Sequence, residues 1–259
     1  SAKLMIEKKL GPQEIGLVFK GRPGIKFEVD GAVLRDPDGA PYGIVYLCRD
    51  ITERKLAEEN MRQGLVKLRS TLKASIDSLA SAIEMRDPYT AGHQERVTRL
   101  ARAIAQEMGL AEERVEAIEI AGVIHDIGKL YVPAEILSKP TKLSDLEYSM
   151  IKMHSQVGFT ILSKIDFPWP IAQIVHQHHE AINGSGYPQG LSGKDILLEA
   201  KILCVADVVE AMSSHRPYRP ALGIPAALAE IAQKQGILYE REVVDACLKL
   251  FREKNFKFE

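Results

Sequence analysis

Residues 93–109, His-Gln-Glu-Arg-Val-Thr-Arg-Leu-Ala-Arg-Ala-Ile-Ala-Gln-Glu-Met-Gly, decide the fold. Val97, Leu100, Ala101, Ile104, Ala105 and Met108 recur at three- and four-residue steps, which lays one apolar stripe along a helix, and Gly109 ends it. Such a helix must bury that face. His93 lies four residues before Val97, so the same face carries an imidazole toward the core. The helical period continues to the end of the chain. It predicts helices over 111–128, 144–165, 169–180, 195–214, 223–235 and 240–254, with the glycine-rich, polar stretch Glu180–Lys194 as a loop. The fold class is mainly α.

Upstream, the pattern changes twice. Ile15–Lys20, Lys26–Leu34 and Tyr42–Cys48 are short and rich in β-formers, separated by Gly-Arg-Pro-Gly and Asp-Pro-Asp-Gly turns, and they read as a small antiparallel β segment. Asp50, with Glu53 three residues on, reads as the N-cap of a helix. Met61, Leu65, Leu68, Leu72, Ile76, Leu79 and Ile83 then follow coiled-coil spacing. A seam over helix 51–83 serves either a homodimer or packing on its own domain, and the spacing does not choose between them. The chain therefore divides into a β segment (1–50), a linker helix (51–85) and a helical domain (86–259).

Composition narrows the class. An apolar fraction of 46% and a charged fraction of 27% are those of a soluble globular protein. A net charge of -1 offers no global attraction to polymeric nucleic acid or to a membrane surface. No apolar run reaches the roughly 18 residues of a membrane helix, and the first residues show no signal-peptide pattern. Cys48, Cys204 and Cys247 lack paired spacing, which points to a reducing cytoplasm and away from cysteine-rich zinc sites. A longer parent protein with sensor or membrane segments upstream is compatible with this composition.

The chemistry lies in the histidines. His93, His125, His154, His178 and His179 fall on inward faces of their helices, as do Asp126 and Asp207, whereas His176 and His215 point elsewhere. A single histidine on an apolar face is usually a hydrogen-bonded core residue. Seven such groups together would leave many desolvated polar atoms, each costing about 1–3 kcal/mol if unpaired. A cation satisfies several at once. Imidazoles and carboxylates without thiolates suit iron, manganese or zinc. Seven ligands exceed the need of one tetrahedral ion, so two ions are expected, with Asp126 as a bridging carboxylate.

Ile124-His125-Asp126-Ile127-Gly128-Lys129, preceded by His93 and followed by Asp207, resembles the HD phosphohydrolase superfamily. His178-His179-Glu180 and Asn183-Gly184-Ser185-Gly186-Tyr187-Pro188 resemble its HD-GYP subgroup, as do the block from Arg86 to His93 and the block from Arg216 to Arg219. The resemblance runs over roughly 75–250. It implies an HD-type helical bundle with a bi- or trinuclear site of divalent ions, iron or alternatively manganese, that hydrolyses cyclic di-GMP to linear pGpG or GMP in bacterial signalling. The implied ligands are His93, His125, Asp126, His154, His178, His179 and Asp207. Tyr89 stands where relatives with a third metal look to have a glutamate, which is a second reason to expect two ions. Residues 25–54 resemble the last strands of a PAS domain, here incomplete.

In the expected mechanism, paired ions lower the pKa of a bridging water and hold hydroxide in line with phosphorus, with Asp126 essential. Lys129, placed one turn after His125, is expected to reach the phosphate or assist proton transfer. Tyr187 could stack on guanine, and Arg216 and Arg219 would grip phosphates. Glu180 and Asp87 are candidates to orient imidazoles. The competing readings are an HD nucleotidase acting on mononucleotides or another cyclic dinucleotide, a catalytically silent cyclic di-GMP receptor, and a metal-stabilised scaffold.

Overall fold

The structure, a computed structural model, describes residues 13–17, 24–85, 92–215 and 220–258. The chain separates into two compact units, Ser1–Leu72 and Lys73–Glu259. In the first unit, β1 (Gln13–Leu17), β2 (Ile25–Arg35) and β3 (Pro41–Asp50) form an antiparallel sheet in the order β1-β2-β3. The Asp-Pro-Asp-Gly turn forms as expected. Asp36 Oδ1 accepts the amides of Asp38 and Ala40, and Gly39 takes φ 86°, a conformation that glycine adopts without a side-chain clash. The turn between the first two strands lies largely outside the described residues. β3 runs two residues past its expected end, to Asp50, because the ladder with β2 continues to Phe27↔Asp50.

Helix α1 (Thr52–Glu84) follows. Asp50 Oδ1 accepts the Thr52 amide, so this residue closes the strand and starts the helix together. Along the expected seam, Met61, Leu65, Leu68, Leu72 and Leu79 are exposed, whereas Ile76 and Ile83 are buried in the core of the second unit. The seven apolar positions thus do not act alike: two have joined the domain core.

The second unit is all-helical among the described residues, with α2 (His93–Glu107), α3 (Glu112–Ile124), α4 (Ala134–Leu137), α5 (Asp145–Leu162), α6 (Ile171–Gln177), α7 (Leu198–Ser213), α8 (Ile224–Gln233) and α9 (Arg241–Glu253). Helix α2 is central, packing on α3, α7 and α9. Its stripe Val97, Leu100, Ala101, Ile104 and Ala105 is fully buried. Burying a side chain such as Leu100 contributes roughly 1.5–3 kcal/mol. At its end Gly109 takes φ 74°, and the Leu110 amide reaches back to the Ala105 carbonyl, closing the helix in a Schellman pattern. Helix α5 begins with a capping box, in which Ser144 and Glu147 satisfy each other's backbone amides. No described helix is long and apolar enough to cross a membrane.

The sequence expectation fails in one informative place. A continuous helix over 111–128 is not formed: α3 stops at Ile124, Asp126 sits at φ -90° and ψ 7°, and Ile127–Tyr131 is a 3-10 turn. The break lets the turn press against α5. A Cβ on Gly128 would stand 1.9 Å from the His154 carbonyl oxygen and 2.7 Å from the Gly158 amide. Only a residue without a side chain permits that approach. Gly128→Ala is therefore expected to lower stability by about 1–3 kcal/mol, the usual range for overpacking, as read from thermal or urea unfolding of the variant. Wild-type stability in the variant would show that the two backbones are not in this contact.

Candidate metal centre

Five helices deliver the polar cluster. α2 brings His93, the end of α3 brings His125 and Asp126, α5 brings His154, the end of α6 brings His178 and His179, and α7 brings Asp207. Their ligand atoms group in threes, each within 4.8 Å: His93, His125 and Asp207; His125, Asp126 and His178; His154, His178 and His179. The groups share His125 and His178, so they form one chain of donors. All seven residues singled out from the sequence lie in it. His93, His125, Asp126, His154 and His178 are buried.

The imidazoles are oriented by their own backbone. His125 Nδ1 donates to the Gly122 carbonyl (2.7 Å), His154 Nδ1 to that of Ile151 (2.6 Å) and His178 Nδ1 to that of Val175 (2.5 Å). Each partner is the residue three earlier in the chain. A carbonyl can only accept, so the proton sits on Nδ1 and the Nε2 lone pair faces the centre. Burial lowers the pKa of His154, and burial together with the neighbouring imidazoles holds that of His178 well below the usual value; both rings are neutral. Their Nε2 atoms nevertheless stand 3.3 Å apart with no proton for either to donate. His125 Nε2, fully buried, has no hydrogen-bond partner among the described residues. Lone pairs converging on one another in a dry interior are stabilised by a cation, and imidazole with carboxylate fits a divalent transition metal.

The carboxylates are charged. Burial works to raise the pKa of Asp126, but the Lys129 ammonium beside it holds it well below the carboxylate range. Lys129 Nζ lies 2.7 Å from Asp126 Oδ2. The expectation that Lys129 shares a continuous helix face with His125 is thus corrected. The helix breaks between them, and the lysine folds onto the aspartate across the 3-10 turn. For Asp207, the same opposing burial is outweighed by the His93 contact, with Nε2 to Oδ1 at 3.2 Å, and by further imidazoles.

Tyr187 forms one wall of the site. Its ring stacks on His179, with centroids 4.7 Å apart and planes at 29°, and its centroid lies 6.5 Å from that of His154. The loop that carries it is tight. Gly184 has φ 80°, and a Cβ on Gly186 would lie 2.3 Å from the Ala181 amide. Glu180 does not orient an imidazole, as its position beside His179 suggested. Its carboxylate accepts the amides of Gln189 (2.7 Å) and Leu191 (3.0 Å), clamping the loop that closes behind Tyr187. His176 points away from the cluster, bonded to Gln156 Oε1 and stacked on Phe159. Arg216 and Arg219 lie outside the described residues, as do Asp87 and Tyr89.

The HD domain family pattern matches residues 77–243, the span that contains every member of this cluster. The chain belongs to the HD domain family. It is 38% identical over 215 residues to the cyclic di-GMP phosphodiesterase response regulator RpfG of Xanthomonas campestris pv. campestris, a match over 78% of this chain and 57% of that protein. It is 40% identical over 200 residues to a cyclic di-GMP phosphodiesterase of Thermotoga maritima, over 76% of this chain and 54% of that one. It is also 37% identical over 146 residues to 3'3'-cGAMP-specific phosphodiesterase 1 of Vibrio cholerae, over 56% of this chain and 34% of that protein. The chain thus spans little more than half the length of the first two relatives.

One residue of this HD domain escaped the sequence reading. Glu210 follows Asp207 by one helical turn on α7, is fully buried, and takes the Nδ1 proton of His93. Its other oxygen accepts from Arg96 Nε (2.7 Å) and from the Ser214 hydroxyl (2.7 Å), and these contacts hold its pKa at about 2 against the effect of burial. His93 is therefore oriented by a carboxylate, whereas His125, His154 and His178 use backbone carbonyls. The only signal in the sequence was an acidic residue three after Asp207, a spacing too common to select it. Glu210→Ala is expected to weaken binding of a divalent metal about 10–100-fold, and Glu210→Gln, which still accepts a hydrogen bond, less so. Chelator competition on folded protein reads this directly. Equal metal affinity in wild type and the alanine variant would remove Glu210 from the centre.

Proposed function

We propose that this HD domain is a metal-dependent phosphodiesterase that hydrolyses cyclic di-GMP to linear pGpG or GMP. The observation that carries the reading is the convergence of neutral, backbone-oriented imidazole lone pairs beside charged Asp126 and Asp207 in a buried centre. Two divalent ions, iron or alternatively manganese, would be held by His93, His125, Asp126, His154, His178, His179 and Asp207. When bound, such ions lower the pKa of coordinated water and neutralise charge developing on phosphoryl oxygens. The chain's own residues provide the rest. Asp126 keeps its negative charge in the interior, ready to act as ligand. Lys129, beside it, presents an ammonium to a phosphate entering the centre. Tyr187 gives the entering group an aromatic wall and screens His179 from water.

The two most extensive matches among the relatives described above, both named cyclic di-GMP phosphodiesterases, support the choice of substrate. The Vibrio cholerae relative named for 3'3'-cGAMP supports a second reading, in which a hybrid cyclic dinucleotide is accepted at the same site. In either case the product is a linear dinucleotide or a mononucleotide. The β segment and α1 are read as the end of a PAS sensor and its linker, with the exposed leucines of α1 available for a homodimer.

The test is turnover of cyclic di-GMP and of 3'3'-cGAMP by protein purified without oxygen, supplied with iron or manganese, with products separated by chromatography. Hydrolysis is expected with metal and is expected to stop on chelation. Asp126→Ala should lose activity by a factor of at least about 10³ together with most of its bound metal. Tight binding of either nucleotide without turnover in the metal-loaded protein would favour a receptor. Full activity of metal-depleted Asp126→Ala would overturn the mechanism.

A further inference from the structure

A cation stands at the edge of the site that neither the ligand cluster nor the sequence motifs account for. Lys152 lies on α5, two residues before His154 and one turn after Tyr148. Its ammonium sits 4.6 Å from the centroid of the Tyr148 ring and 5.3 Å from that of Tyr187. Tyr187 in turn stacks on His179, so Lys152 is one aromatic ring removed from the imidazole cluster. Among the described residues no carboxylate pairs with it, although Lys129 and Lys139 on neighbouring segments both lie against one. Two aromatic faces hold an ammonium in place without cancelling its charge. Tyr148 is exposed, which leaves that side of the arrangement open to a ligand.

We infer that Lys152 binds the phosphate of a cyclic dinucleotide that is not being cleaved, with Tyr148 beside it as a stacking face for a base. This rests on the phosphodiesterase reading above and adds the feature that would select a cyclic dinucleotide over a simple phosphodiester. Such a substrate carries two phosphates on opposite sides of one ring. With one of them at the imidazole cluster, the other must lie away from it and needs a positive partner of its own. Lys152 lies over the ring of Tyr187, which itself stacks on His179 of that cluster, and Tyr rings tolerate any purine because every base has a stacking face. The helix that supplies His154 thereby supplies a substrate contact as well.

The experiment compares wild type, Lys152→Met and Lys152→Arg on cyclic di-GMP and on bis(p-nitrophenyl) phosphate, which has a single phosphodiester. Metal content is measured in each preparation. Lys152→Met is expected to raise KM for cyclic di-GMP about tenfold and to cut the preference for it over the small diester by a similar factor, with Lys152→Arg recovering most of the loss. Metal content should equal that of wild type. An unchanged KM, an equal loss on both substrates, or a fall in bound metal would each overturn the inference. If metal-loaded wild type cleaves the small diester but not cyclic di-GMP, the substrate reading itself fails, and this inference falls with it.

Discussion

The organisation of the helical unit depends on the way three buried imidazoles are held. His125, His154 and His178 each give the Nδ1 proton to a carbonyl three residues earlier in the chain. That single local bond fixes the tautomer, points Nε2 away from the helix and costs the fold no additional partner. The helices must then be arranged so that these lone pairs meet. At His154 and His178 they meet at 3.3 Å, where neither ring has a proton to offer the other. The fold has placed a buried polar demand at its centre, and a divalent cation is the natural means of meeting it.

Close backbone approach makes this possible. The 3-10 turn after Asp126 abuts α5 at the His154 carbonyl, where Gly128 leaves no room for a side chain. The same break in the helix swings Lys129 onto Asp126. At the other side of the centre, Glu180 ties down the loop whose Tyr187 covers His179. His93 is the exception to the backbone rule: it is the first residue of α2, and its Nδ1 meets a side chain in place of a carbonyl. The buried carboxylate of Glu210 takes that place and is itself neutralised by Arg96. The centre thus combines local bonds within helices with one long-range carboxylate.

Much of this was legible in the residues. Inward-facing periodicity placed His93, His125, His154, His178 and Asp207 on buried faces, because the helical repeat alone determines which side chains share a stripe. The longer helices after residue 92 were foreseen to within a few residues, apart from the early end at Ile124, whereas the short α4 (Ala134–Leu137) was not foreseen. Other features were not legible. The helix through His125 was expected to continue to residue 128, since nothing in the local pattern of Asp126 and Ile127 opposes a helix; the break reflects packing against α5. Glu180 looked like an imidazole partner because it follows His179, yet the chain turns and its carboxylate meets backbone amides instead. On α1, seven apolar residues at one spacing proved to be of two kinds, and only Ile76 and Ile83 reach the core.

The sequence by itself determined the helical class and the inward set of histidines and aspartates, because these follow from periodicity and from residue chemistry along a single helix; the family entered through the resemblance of its motifs, His125-Asp126 and Gly186-Tyr187-Pro188 among them. Tertiary structure alone decided which nitrogen of each ring faces the centre, that Glu210 rather than Glu180 supports a ring, and that Lys152 stands beside Tyr187. Those outcomes depend on distances between segments far apart in the chain, and no spacing within one segment encodes them.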